Sequence, residues 1–110
     1  MEVKYYPDPE TGRPHIYEHG VSEREVEEIL SRPGEDRPGR RGTRVAVGQT
    51  RSGRYLRVIY APARGPSSVF VITAYDLTGN ALQAYRRRMR RNHRPPGWRR
   101  HLAAIAPADC

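Results

Sequence analysis

Apolar and polar residues alternate with a period of two along three stretches in the middle of the chain, and apolar residues recur at helical spacing on either side. In Thr43–Thr50, Tyr55–Ala61 and Ser67–Tyr75 the alternation predicts half-buried strands. In the second stretch Leu56, Val58 and Tyr60 point one way, while Tyr55, Arg57 and Ile59 point the other. In the third, Phe70, Ile72 and Ala74 oppose Val71, Thr73 and Tyr75. The Leu56/Phe70 face is therefore the expected core face, and the face with Tyr55, Arg57, Thr73 and Tyr75 the polar one. Arg51-Ser52-Gly53-Arg54 supplies the hairpin turn between the first two strands.

Two helices flank this region. Ser22-Glu23-Arg24-Glu25 is a capping box, with Ser22 as N-cap and Glu25 three positions on. Val21 before the cap is placed to staple onto Val26, and Val26, Ile29 and Leu30 form the apolar stripe. Pro33-Gly34 stops this helix, and residues 33–43, rich in Pro, Gly and charge, read as a loop. The second helix runs from about Gly79 to Asn92, with Leu82, Tyr85 and Met89 as its packed stripe. At the start, Glu2–Tyr6 reads as a short strand, followed by turns at Pro7-Asp8-Pro9 and Thr11-Gly12. Pro14 to Gly20 then suits a short helical turn, opened by Pro and stopped by Gly. The expected fold is α+β: a small antiparallel sheet of three to four strands, packed by an N-terminal and a C-terminal helix. One domain is expected over residues 1–93, with 94–110 a loosely ordered basic, Ala- and Pro-containing tail behind Pro95-Pro96-Gly97.

Composition narrows the function classes. The chain has 110 residues, enough for one modest core. Cys110, the only cysteine, permits no intramolecular disulfide and no Cys-based zinc site, which fits a reducing, cytoplasmic location. No stretch is long and apolar enough to span a membrane, and Met1–Tyr6 lacks the apolar region of a signal peptide. The formal net charge is +8, unevenly spread. Residues 1–36 carry ten Asp/Glu against four Lys/Arg, and residues 37–110 carry sixteen Arg against two Asp. Such a basic segment steers and holds polyanions. Arg is the planar, bidentate phosphate binder, although a GC-rich coding bias also yields Arg in place of Lys.

The order of segments carries a resemblance. His19-Gly20-Val21-Ser22 opens a helix, and Arg44 to Gly48 is an Arg-containing strand ending in Val-Gly. Ser52 to Tyr60 forms the hairpin, and Val71-Ile72-Thr73-Ala74-Tyr75 leads into a helix with Tyr85-Arg86-Arg87. Over about residues 15–92 this set resembles the BrnT-type toxins, ribonucleases of type II toxin–antitoxin pairs with a RelE-like fold. The resemblance implies an RNA substrate, a cognate antitoxin protein as partner, and no metal or other cofactor. It suggests His19 as acid or base, Arg44 and Arg57 as phosphate clamps on the sheet, and Arg54, Arg86, Arg87 and Arg90 as further RNA contacts. The family pattern ends its last strand Ile-Ser-Ala-Arg. Here Tyr75 stands in the position of that Arg, as an aromatic surface or weak acid.

Each residue also has a plainer reading. His19 beside a helix C-terminus is stabilising as a cation. Arg57 in mid-strand suits a cross-strand ion pair as well as a phosphate. Tyr75 beside Asp76 can simply finish its strand. The Arg86–Arg91 run can be a solvated face, but five Arg in six positions repel one another, with no acidic residue in that helix to relieve them. His15, His93 and His101 have no ligand-like spacing, so no metal site is expected. The leading functional expectation is a metal-independent endoribonuclease masked by an antitoxin. The alternatives are a non-catalytic nucleic-acid-binding module, and a protein-interaction adaptor using the Arg-rich helix. An exposed sheet edge would offer a surface for homodimer pairing.

Overall fold

In the computed structural model the described residues are 1–65 and 67–92. The tail 94–110, with its expected Pro95-Pro96-Gly97 stop, lies outside them, as do His93 and His101. The chain runs β1 (Glu2–Tyr5), a 3₁₀ helix (His15–His19), α1 (Glu23–Ser31), β2 (Glu35–Pro38), β3 (Arg44–Gln49), β4 (Tyr55–Pro62), β5 (Ser68–Asp76) and α2 (Gly79–Asn92). The sheet has five strands in the order β1-β5-β4-β3-β2. Strands β2 to β5 form an antiparallel meander, and β1 joins its end parallel to β5. The α+β class agrees with expectation. The strand number and the purely antiparallel pairing do not.

The additional strand is β2, inside the segment read as a loop. Glu35-Asp36-Arg37-Pro38 contains no β-forming side chain, so its strand character comes from its partners. The Asp36 carboxylate accepts from Arg44 Nε at 2.9 Å and from the Tyr60 hydroxyl at 2.5 Å. Glu35 accepts from Arg88 Nε at 2.5 Å and Nη2 at 2.9 Å, which ties α2 to this edge. Short, charged and Pro-ended, β2 has the make-up of a protected edge strand.

Alternation along β5 is broken between Val71 and Thr73. Ile59 faces Thr73 while the next residue, Tyr60, faces Val71, so Ile72 is an extra residue in the ladder, a β-bulge. Val71 and Ala74 consequently share the core face with Leu56, Val58 and Tyr60. Phe70 does not, contrary to the alternation reading, because the bulge moves it to the other face with Thr73 and Tyr75.

Helix α1 covers the core face. The capping box forms: the Ser22 backbone N–H donates to Glu25 Oε1 at 2.9 Å, and the Glu25 N–H donates to Ser22 Oγ at 3.2 Å. Val21, Val26 and Ile29 are fully buried with Ile16, Ala46, Leu56, Val58 and Val71. On the opposite face α2 packs Tyr85, Leu82 and Met89 against Val45, Val47, Tyr55 and Leu77. The sheet thus separates the acidic helix, with Glu23, Glu25, Glu27 and Glu28, from the arginine helix.

Gly34, just ahead of β2, lies against the Tyr85 ring, and a Cβ there would run into the Tyr85 hydroxyl. Gly34→Ala is expected to destabilise the fold by about 2 kcal/mol through overpacking. Thermal melting checks this, and adding Tyr85→Phe should restore part of the loss. Four carboxyls are held below their ordinary range. For Glu25 the main cause is the Ser22 N–H, for Glu35 it is Arg88 and for Asp76 it is Arg54, while Asp8 owes its shift first to the Glu10 N–H and then to His15. A carboxyl depressed on folding stabilises above its unfolded pKa, and that stability is lost as pH falls through the folded value. Melting temperature should therefore stay level from about pH 7 to 5 and fall below about pH 4, as a pH series of melts would show.

Candidate functional site

Where β1 ends, beside Val71, the chain turns and the 3₁₀ helix takes its place along the second half of β5. The Tyr6 N–H donates to the Val71 carbonyl at 2.8 Å, and the His15 N–H donates to the Tyr6 carbonyl at 2.8 Å. Ile16 anchors the turn in the core, and Gly20, at φ 68°, closes it in the left-handed conformation. This anchoring sets two histidines one helical turn apart against the bulged part of β5. Tyr6, His15, His19, Ile72, Thr73 and Tyr75 line a cleft of about 560 Å³.

The rings in and beside this cleft form a continuous chain. Centroid distances are 6.5 Å from Phe70 to Tyr6, 6.2 Å from Tyr6 to His15, 5.3 Å from His15 to His19 and 5.9 Å from His19 to Tyr75. His15 Nδ1 lies 3.2 Å from Asp8 Oδ2. Asp8 is held ionised by the Glu10 N–H first and by His15 second, so its oxygens can only accept. His15 Nδ1 must then carry the proton, which in the neutral ring leaves Nε2 with a lone pair. A base oriented in this way can take a proton from a hydroxyl in the cleft.

Arg57 stands on β4 directly across from Tyr75 and on the same face of the sheet. Its Nε is buried without a hydrogen-bond partner in the protein, as is the hydroxyl oxygen of Thr73, one pair further along that face. Buried polar atoms without partners are rare, and both of these lie on the sheet face that carries Tyr75. Among the described residues Arg57 makes no ion pair, whereas Arg37, Arg44, Arg54 and Arg88 all do.

The other sequence-derived candidates divide by position. Arg54 does not present free donors. Its Nε and Nη2 bind Asp76 at 2.7 and 3.2 Å, and Nη1 binds Glu25 at 3.0 Å and the Gly20 carbonyl at 2.8 Å. It is a structural tie that also reaches the His19 carbonyl at 3.4 Å. Arg44 pairs with Asp36 and faces Tyr60, on the opposite side of the sheet from Arg57, so the two cannot clamp one phosphate. Arg86, Arg87 and Arg90 are exposed on α2, on the same side as Arg57. Arg88 alone of that cluster is tied down, by Glu35. The structure brings His19 and Arg57 each beside Tyr75, and it adds His15 and Asp8, which the sequence did not single out, next to His19. The available signal was the four-residue spacing of His15 and His19 inside the Pro14–Gly20 helical turn, with Asp8 in the preceding turn.

Among the described residues no three His, Cys, Asp or Glu side chains converge as a metal-binding group, and no helix is long and apolar enough to cross a membrane. The chain matches no protein-family model, no curated protein and no solved structure. The resemblance to BrnT-type toxins rests on the ordered segments quoted above and on none of these comparisons.

Proposed function

We propose that the protein is a toxin-like, metal-independent endoribonuclease of a type II toxin–antitoxin pair, working at the His15/His19/Tyr75 cleft. The observation that carries this reading is the unpaired Arg57, with its Nε buried, beside a cleft that already holds an Asp-oriented histidine and a second histidine. Cleavage by transesterification uses these groups directly. His15 Nε2 takes the proton of the ribose 2′-OH, and the 2′ oxygen attacks phosphorus. Arg57 stabilises the charge on the pentavalent phosphorane. His19 gives a proton to the leaving 5′ oxygen, leaving a 2′,3′-cyclic phosphate and a 5′-hydroxyl. Tyr75 supports the His19 ring edge and offers a surface to a base. The exposed arginines of α2 hold the RNA backbone on the same side of the sheet, while the acidic α1 layer faces away. A cognate antitoxin would act by covering this basic face.

The test is incubation of mixed-sequence RNA with the protein in EDTA, at low and at physiological salt. Fragments ending in 2′,3′-cyclic phosphate support the reading. Salt-steep binding without fragments would replace it with a non-catalytic nucleic-acid-binding module, a reading favoured by Tyr75 standing where the related pattern has Arg. Neither binding nor cleavage, with an acidic protein co-purifying, would point to an adaptor.

A further inference from the structure

A second cavity, of about 340 Å³, opens on the same face of the sheet between β4 and α2. Tyr55, Tyr85 and Met89 give it flat and polarisable apolar walls, and Gln49, Arg86 and Arg90 give it polar ones. Tyr85 meets the Tyr55 ring edge-on, with centroids 6.1 Å apart and planes at 75°, which fixes Tyr55 in place. The Arg86 guanidinium lies 5.9 Å from the Tyr55 centroid. It lies over the ring, within cation–π range but beyond stacking contact, so it caps that face loosely. Gln49 Nε2 donates to the Gly53 carbonyl at 3.1 Å, which orients the amide and leaves its oxygen to accept. The Glu35–Arg88 pair fixes the rotation of α2 and so keeps Arg86 and Arg90 at this cavity. Tyr55 is two residues before Arg57 on one strand and one face, ~7 Å along it.

From this the geometry points to a nucleobase subsite at Tyr55, Gln49, Met89 and Arg86, one nucleotide from a phosphate held at Arg57, so that single-stranded RNA is gripped by a base as well as by its backbone. This rests on the RNA reading of the basic face. A flat ring fixed by Tyr85, with a cation loosely over its face and an amide acceptor at the rim, suits a stacked heterocycle. The amide would favour bases that present an N–H to it. The neighbouring arginines neutralise the flanking phosphate and so tie the base contact to nucleic acid rather than to a free aromatic compound.

The experiment uses fluorescently labelled single strands of 2′-deoxynucleotides, which cannot be cleaved by the 2′-OH route. One strand is intact, and the others each carry an abasic residue at one successive position. Binding is read by anisotropy. For the wild-type protein, one abasic position should weaken binding ~10-fold or more, the size of a lost base stack, while the others change it little. Tyr55→Phe should keep that difference, and Tyr55→Leu should erase it. Equal binding of intact and abasic strands, or no binding of any strand, would overturn the subsite. So would a Tyr55→Leu protein that still discriminates. Should Tyr55→Leu fail to fold, the wild-type strand comparison decides by itself. RNA cleavage is measured separately. A base effect without cleavage removes the catalytic reading and keeps the subsite, whereas cleavage without a base effect removes only the subsite.

Discussion

Replacing His19 with alanine should lower RNA cleavage by ~10²–10³-fold and leave the melting temperature nearly unchanged. The side chain is exposed and meets the His15 and Tyr75 rings, so its loss removes the proposed proton carrier without removing core. His15→Ala should have an effect of similar size, because the proposed mechanism assigns it the other proton transfer. Arg57→Ala should also cost ~10²–10³-fold, as loss of an oxyanion stabiliser does. Arg57→Lys should recover little of it, since an ammonium cannot reproduce the guanidinium's fork of donors. Asp8→Asn acts through His15. It exchanges an acceptor-only group for one that can also donate, so it should slow turnover with little change in RNA affinity. Initial rates on a defined RNA, with melts of each variant, check the series. Wild-type rates in both His19→Ala and Arg57→Ala would withdraw the assignment of this cleft.

The largest stability effect should come from Arg54. Its guanidinium joins Asp76 at the end of β5, Glu25 in the first turn of α1, and the carbonyls of His19 and Gly20 at the end of the 3₁₀ helix. These partners hold it protonated well above the ordinary range for arginine, with Asp76 the main cause. Arg54→Leu leaves two carboxylates and a helix terminus without their shared donor, and should destabilise by about 3 kcal/mol in urea unfolding. Cleavage should also fall, because the same donors position the His19 backbone. The double variant Arg54→Leu/Asp76→Leu should unfold with less than the summed loss of the two single changes, since one of the orphaned charges is gone. A single-variant loss under about 0.5 kcal/mol would show that the tie is only a surface pair.

The helices and the three long strands were legible because each carries a local signal. Ser22 and Glu25 announce the start of α1, and Leu82, Tyr85 and Met89 the buried stripe of α2. Strand β2 was not legible, because Asp36 and Glu35 are strand residues only by virtue of Arg44, Tyr60 and Arg88, which lie elsewhere in the sequence. The bulge at Ile72 was equally hidden. Val-Phe-Val-Ile-Thr-Ala-Tyr fits unbroken alternation, and only pairing with β4 and β1 shows that one residue steps out. The same limit applied to the site. Arg57 and Tyr75 could be placed on one face by periodicity, whereas Arg54 and Arg44 look alike as basic residues until their carboxylate partners are located in space. The Asp8–His15 pair depends on a turn that brings Pro7 against Pro14, which composition alone does not specify.

The pairing of β1 with β5 has a consequence for the order in which the molecule assembles. Strands β3, β4 and β5 are joined by short connections, and the hairpins they make close quickly. The Glu2–Ser68 contact bridges 66 residues, so β1 must wait for a partner made much later in synthesis. Tyr6, His15 and His19 come with that first strand, and Tyr75 and Arg57 with the last hairpin. A ribosome-bound chain therefore exposes neither half of the cleft in working form until β5 has emerged and captured the N-terminal segment. Under the proposed ribonuclease function, this order of assembly would keep the enzyme inert through most of its own translation and so spare the message that encodes it.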